Sequence, residues 1–260
     1  MPLRENIYYH YFEGGNRAKP PVILIHGAAG THLHWPAEVR RLSGNPVYAL
    51  DLPGHGKSES RSYQAIAEYQ NALLSWLAAL GIYQAILIGH SMGGAIALSM
   101  ALDHPERVLG LGLIGTGARL RVNEQILENA ASAATVPAAL EAIVTLAFGE
   151  QADPRLVELA AMRMAGTRHS VLHGDLLACT SFDRLAELGQ IRVPTQVIVG
   201  QKDQLTPVRY SQHLADQIPN ASLQIIPGAG HMVMLEQPQQ VAEILQAFIT
   251  KIPFHPGQQQ

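Results

Sequence analysis

The chain is short of cysteine, short of charge and without a long apolar run, and each absence excludes something. Of its 260 residues one is cysteine, Cys179, so no intrachain disulfide can form and the fold does not depend on an oxidising compartment. Charged residues make up only 15%, and a formal charge of -3 with a sequence pI near 6.4 denies the chain the basic field that nucleic acid requires. No stretch reaches the roughly eighteen consecutive apolar residues of a membrane span. The opening Met1-Pro2-Leu3-Arg4-Glu5-Asn6 lacks the apolar segment of a signal peptide. The expectation is a cytoplasmic protein with no nucleic-acid or membrane partner, whose ligand is a small molecule.

What is present is apolar. At 47% hydrophobic residues the chain can build one α/β domain with an insertion, and nothing in it forces a second independent domain. Residues 7–12 read as an early edge strand closed by Gly14-Gly15, with a linker over 16–21. Continuous apolar runs at 22–25, 47–50, 85–88 and 108–114 read as strands buried on both faces of a parallel sheet. Helical periodicity covers 63–80 and 95–102. The alternation then breaks: from 116 to 189 only helical stretches occur, at 122–134, 137–148, 154–165 and 170–181. Met162, Met164, Leu172, Leu176 and Leu177 are available there to line an apolar cavity, with packing between helices as their other use. Strands return at 195–199 and 222–226; Thr206 reads as the cap of a helix opened by Pro207, an apolar stripe from Val241 to Ile249 marks the last helix, and residues 254–260 read as a loose tail.

The chemistry gathers on Gly89-His90-Ser91-Met92-Gly93-Gly94, a G-x-S-x-G sequence between a strand and a helix. That is the setting of a nucleophile elbow, in which a strained turn lifts a serine hydroxyl above the sheet. The competing reading is a glycine-rich turn whose serine caps the helix. A serine is a weak nucleophile unless an imidazole takes its proton and a carboxylate orients that imidazole. His231 and Asp203 fill those roles, because both lie just past inferred strand ends, where ligands of parallel sheets sit. The oxyanion of an acyl-transfer intermediate needs backbone donors from the residue after the nucleophile and from the loop after an early strand, here Met92 and Ala28.

Through His26-Gly27, Asp51-Leu52-Pro53-Gly54-His55-Gly56-Lys57-Ser58, Gly89-His90-Ser91-Met92-Gly93, Asp203 and Gly230-His231, in that order over nearly the whole chain, the sequence resembles the α/β-hydrolase superfamily. The resemblance implies a mainly parallel sheet flanked by helices, a core of residues 1–115 and 190–260, and a helical cap of residues 116–189 inserted after the sixth strand. It implies a catalytic triad of Ser91, Asp203 and His231, no cofactor and no metal, and a small carboxylic ester as substrate. Carbon-carbon bond or thioester hydrolysis on the same triad, and a small-molecule receptor with little turnover, stay open beside it. The family commonly begins with two strands, and only 7–12 is long enough here.

Other polar residues receive plainer readings. His26 is structural, His90 stands beside the elbow, and Asp51 and His55 organise their own loop. His32 and His34, spaced for a metal on a strand but lacking a third ligand, are surface or pocket-rim residues. Asp175, Asp183 and Asp216 are set aside as catalytic acids, and Cys179 is a small buried hydrophobe. A charged substrate would call for Arg119, Arg121, Arg163 or Arg168.

Overall fold

Every residue of Val22–Ile25 is buried, and a run without a polar side has only one place to go: the middle of a sheet covered on both faces. The computed structural model describes residues 3–12, 19–42 and 44–254, and its sheet has eight strands. These are β1 (Leu3–Arg4), β2 (Ile7–Phe12), β3 (Val22–Ile25), β4 (Val47–Leu50), β5 (Ala85–His90), β6 (Val108–Ile114), β7 (Thr195–Gly200) and β8 (Ala221–Ile226). In space they run β1-β2-β4-β3-β5-β6-β7-β8. Only the β1/β2 and β2/β4 pairs are antiparallel; from β4 to β8 all neighbours are parallel. Parallel neighbours need crossover connections, which helices supply.

The helices are α1 (Ala37–Arg40), α2 (Ile66–Ala79), α3 (Met92–Asp103), α4 (Glu124–Ala130), α5 (Val136–Ala147), α6 (Pro154–Ala165), α7 (His169–Ser181), α8 (Val208–Gln217), α9 (Val233–Glu236) and α10 (Pro238–Ile249). Alternation along the strands sorts their side chains to two faces. Ile23, Ile25 and Leu87 pack with Leu73 and Trp76 of α2 and Ile96 of α3. Val22, Leu24, Ile86 and Ile88 pack on the opposite face with Val39 of α1 and Val241 and Leu245 of α10. A third apolar cluster joins α4, α5, α6 and α7 through Ile126, Ala139, Met164 and Leu172, and it includes Ala29 from the loop after β3. The four helices therefore close over that loop.

The expected absence of a first edge strand is corrected. Leu3 and Arg4 pair with Tyr8 and Ile7 across a turn in which Glu5 and Asn6 hold φ of 47° and 61°. Two residues are too few to show a period of two, so this strand left no trace in the sequence pattern. With β1 counted, the four helices follow the sixth strand. The Gly14-Gly15 closure, the first part of the linker and residues 255–260 of the expected tail lie outside the described residues.

Candidate active site

β5 ends at His90 and α3 begins at Met92, so Ser91 alone reverses the chain, with φ 52° and ψ -118°. That region is unfavourable for a residue with a side chain, and the surrounding contacts impose it. A Cβ on Gly89 would stand 2.1 Å from the Gly93 carbonyl oxygen, and one on Gly93 would stand 2.1 Å from that of Ile25. The first turn of α3 thus rests directly on the ends of β5 and β3, which only glycine permits. The Ser91 N–H donates to the Ile114 carbonyl at 2.9 Å, and the Thr116 hydroxyl donates to the Ser91 carbonyl at 2.8 Å. The Ser91 side chain makes no capping bond, which removes the reading of it as a mere helix cap.

Two further loops reach the same place. His231, after β8, holds its Nδ1 at 2.9 Å from Oδ2 of Asp203, after β7, and both residues are buried. Donation from Nδ1 to the carboxylate leaves Nε2 as the imidazole's free base. Asp203 is itself held: the Thr206 N–H donates to Oδ1 and the Thr206 hydroxyl to Oδ2, each at 2.8 Å. Thr206 was expected to cap the helix opened by Pro207. Instead Pro207 occupies the cap position, α8 starts at Val208, and the threonine hydroxyl goes to Asp203. The signal for this was present as Asp203-x-x-Thr206, but a threonine before proline reads equally as a cap. Gly115, after β6, has φ 50°, and a Cβ on it would lie 3.3 Å from both Asp203 Oδ2 and His231 Nδ1.

Of the other histidines, His90 lies against this pair. His90 Nε2 donates to the His231 carbonyl at 3.1 Å, with ring centroids 4.6 Å apart. Burial, and then the neighbouring His231, hold its pKa well below the ordinary range. His26 donates from Nδ1 to the Gly27 carbonyl at 2.8 Å and accepts the Leu52 N–H on Nε2 at 2.9 Å, a structural tie between two loops. His32 and His34 lie in a short helical turn rather than a strand, and both are buried: His34 lines the cavity, as the pocket-rim reading has it, whereas His32 is neither on the surface nor among the residues that line the cavity. The Asp51 Oδ1 accepts from the His32 N–H at 2.7 Å and from its Nδ1 at 2.8 Å, drawing His32 into the Asp51 loop. Burial pushes the pKa of His34 down to about 4. Among the described residues no cluster of three or more histidine, cysteine or acidic side chains is placed to hold a metal ion.

Asp175 departs furthest from expectation. His55 ties its own loop as expected, donating from Nδ1 to the Pro53 carbonyl at 3.0 Å, and it also meets Asp175 of α7, with Nε2 2.8 Å from Oδ2. That same oxygen accepts the Ala29 N–H at 3.0 Å, and Oδ1 accepts the Tyr69 hydroxyl of α2 at 2.6 Å. Burial would lower the His55 pKa, but the Asp175 carboxylate outweighs it and raises the value. Three polar groups are joined at a buried carboxylate that links α7, α2 and the loops after β3 and β4.

A cavity of about 260 Å³ opens between Gly27, Ala28, Ser91 and His231 on one side and Leu120, Ile126, Ile143, Met164, Leu172 and Leu176 on the other. Met164, Leu172 and Leu176 both line it and pack between the helices, whereas Met162 is 60% exposed on the surface and Leu177 is not among the residues that line it. Cys179 also lines it, its thiol pKa raised by burial. Ala28 is on its wall, and Met92 opens α3, where an N–H has no intrahelical acceptor. Of the four arginines considered, only Arg121 is at the cavity; Arg119 pairs with Asp183, and Arg163 and Arg168 donate to the carbonyls of Leu33 and Gly54.

Comparison with known proteins places this geometry. Residues 20–238 match the sequence profile described as alpha/beta hydrolase fold. The dihydrolipoyllysine-residue acetyltransferase component of an acetoin cleaving system from Pseudomonas putida is 34% identical over 256 residues, covering 93% of this chain; the chain spans just under two thirds, 66%, of that protein's length. RutD, a putative carbamate hydrolase of Pseudomonas syringae pv. syringae, is 29% identical over 94% of this chain and 100% of its own. The solved structure of a thermophilic esterase shares 36% identity and a TM-score of 0.81, with 96% of each chain covered. An enol-lactonase from Burkholderia xenovorans LB400 shares 25% identity and a TM-score of 0.85 over 94% of this chain and 97% of its own.

Proposed function

The chain belongs to the α/β-hydrolase family, and we propose that within it this protein is a cofactor-independent serine esterase acting on small to medium apolar carboxylic esters. The observation that carries the reading is the Asp203–His231 hydrogen bond beside a serine lifted by a φ of 52° into the same cavity. Ser91 Oγ attacks the ester carbonyl as His231 Nε2 takes its proton. The backbone N–H groups of Ala28 and Met92 receive the negative charge that develops on the carbonyl oxygen. His231 then returns the proton to the departing alcohol, leaving an acyl group on Ser91. A water molecule, deprotonated by the same imidazole, releases the acid and restores the serine. Asp203 stays ionised and steadies the imidazolium at each step. Residues 116–189 act as a cap over residues 1–115 and 190–260, and the apolar side chains they contribute select uncharged acyl or alcohol groups. The esterase and the enol-lactonase among the similar structures support acyl-oxygen cleavage as the reaction type.

The test is turnover of p-nitrophenyl butyrate. The reading requires sustained multiple turnovers, an increase in protein mass by one butyryl group on rapid quenching, and a loss of about 10⁴-fold or more in kcat for Ser91→Ala with cooperative unfolding retained. A Ser91→Ala protein as active as the parent would overturn the assignment. Ligand-dependent melting without turnover would favour the receptor reading instead.

A further inference from the structure

Ala29 follows the residue assigned above as an oxyanion donor, and it is the one non-glycine residue of its loop held at positive φ, 52°. Its peptide groups are gripped from outside the loop. Its N–H donates to Asp175 Oδ2 at 3.0 Å, and its carbonyl accepts the Thr167 hydroxyl at 3.3 Å; Thr167 lies between α6 and α7, and Asp175 lies on α7. Inside the loop the Gly27 carbonyl accepts the Gly30 N–H at 3.1 Å and His26 Nδ1 at 2.8 Å, and neither bond uses the Ala29 N–H or carbonyl. Asp175 is fixed in turn. Tyr69 and His55 hold its two oxygens, it is fully buried, and a Cβ on the neighbouring Gly174 would stand 2.7 Å from the Tyr63 carbonyl oxygen, so α7 is seated against the core backbone at that point.

From this arrangement we infer that Asp175 is a positioning residue for the oxyanion hole: through the Ala29 N–H, and with Thr167 on the Ala29 carbonyl, the four-helix insertion sets the direction of the Ala28 N–H. The inference rests on the esterase reading. The physical reason is leverage. An alanine at positive φ relaxes toward the favoured regions unless its peptide groups are held, and a swing of the Ala28–Ala29 peptide passes through the Ala28 Cα to the Gly27–Ala28 peptide, which carries the Ala28 N–H. A donor displaced from the developing oxyanion loses stabilisation that exists only in the transition state, so the effect belongs in kcat rather than in KM. Substrate binding in the apolar cavity is a separate matter, because the Asp175 side chain does not line it.

The experiment measures kcat, KM and the inhibition constant of a trifluoromethyl ketone, whose hemiketal oxyanion occupies the hole, for Asp175→Ala, Asp175→Asn and Thr167→Val. Removing one oxyanion donor outright costs about 10²- to 10³-fold, so a misdirected one is expected to lower kcat by about 10- to 100-fold in Asp175→Ala and to raise the ketone's inhibition constant by a similar factor. KM is expected to stay within about threefold. Asparagine keeps a carbonyl oxygen for the Ala29 N–H and is expected to restore most of both constants, which a role in charge balance would not predict; a role in packing alone would not move the ketone's inhibition constant together with kcat in Thr167→Val. Thr167→Val is expected to show the same pattern more weakly, and it decides the matter if Asp175→Ala does not fold. A folded Asp175→Ala, or failing that Thr167→Val, with unchanged kcat and unchanged ketone affinity overturns the inference. Ser91→Ala run alongside separates the two failures: if it is as active as the parent, the esterase reading falls, whereas an inactive Ser91→Ala with an indifferent Asp175 sinks only the positioning role.

Discussion

Glu236 and Gly149 are joined by a hydrogen bond of 2.9 Å, from the glycine N–H to Oε2 of the carboxylate, and the other oxygen of Glu236 accepts the Gly230 N–H at 2.9 Å. Gly149 follows α5 in the insertion and Gly230 precedes His231, so one carboxylate spans the two. The Met232 N–H adds a bond to the Ala147 carbonyl at 2.9 Å. Burial raises the Glu236 pKa, and the two N–H groups work against that rise.

Glu236→Gln can serve only one of these buried N–H groups, because its amide nitrogen meets the other donor to donor. The expected cost is about 1–3 kcal/mol of stability, read by urea denaturation, together with a lower kcat from a looser His231 loop. An unchanged urea midpoint would contradict this.

Thr206→Val removes a hydroxyl that donates to Asp203 Oδ2 at 2.8 Å and stands 3.2 Å from His231 Nδ1. Hydrogen bonds to charged groups are worth about 1.5–3 kcal/mol, so kcat on p-nitrophenyl esters is expected to fall by about tenfold or more while KM changes little. Serine at 206 is expected to retain most of the activity.

Gly93→Ala places a Cβ 2.1 Å from the Ile25 carbonyl oxygen, a backbone atom that cannot step aside. Separation of α3 from β3 is expected to cost at least about 3 kcal/mol in a thermal or denaturant melt and to disturb Ser91 with it. Gly189→Ala, where a Cβ meets nothing within 4 Å, is the matched control.

Stability is expected to fall in mild acid. Burial holds the pKa of His26, His34 and His90 below the ordinary value, that of His34 at about 4. A histidine with a depressed folded-state pKa takes up its proton first in the unfolded chain. The stability it supplies is therefore complete above about pH 6.5 and is lost as pH falls, at about 1.4 kcal/mol per pH unit for each group. His55, raised by Asp175, acts in the opposite sense: its contribution is present below about pH 6.5 and is lost as pH rises through its folded value. Unfolding free energies measured across this range are expected to show a net loss toward acid, and His34→Gln to lessen the slope by about one proton's worth.

Arg121 has no ion-pair partner among the described residues and is the only arginine lining the cavity. Esters carrying a carboxylate are expected to lose more kcat/KM than neutral ones on Arg121→Gln, by about two- to fivefold, with the difference shrinking in high salt because the guanidinium is exposed.

How much of this was legible in the chain follows from the range of each signal. The strands at 22–25, 47–50, 85–88 and 108–114 announce themselves, because burial on both faces demands an unbroken apolar run. The Gly89-x-Ser91-x-Gly93 turn does too, because close approach of strand and helix demands glycine at fixed spacing. Ser91, Asp203 and His231 were singled out by their places at strand ends, and they stand at one end of one sheet. Leu3–Arg4 escaped because two residues carry no periodicity, and Thr206 was misassigned because a cap and a carboxylate partner look alike before a proline. Asp175 and Glu236 could not have been found that way. Their partners lie 146, 120 and 106 residues away for Asp175, and 87 residues away in the insertion for Glu236. Local pattern is set by backbone geometry and by which side of an element meets water, so the sequence alone determined the longer strands, the helical insertion and the turn at Ser91. Which buried donor meets which carboxylate depends on how finished elements pack, and only the tertiary structure decided that the insertion grips the loop of Ala28 and the loop of His231.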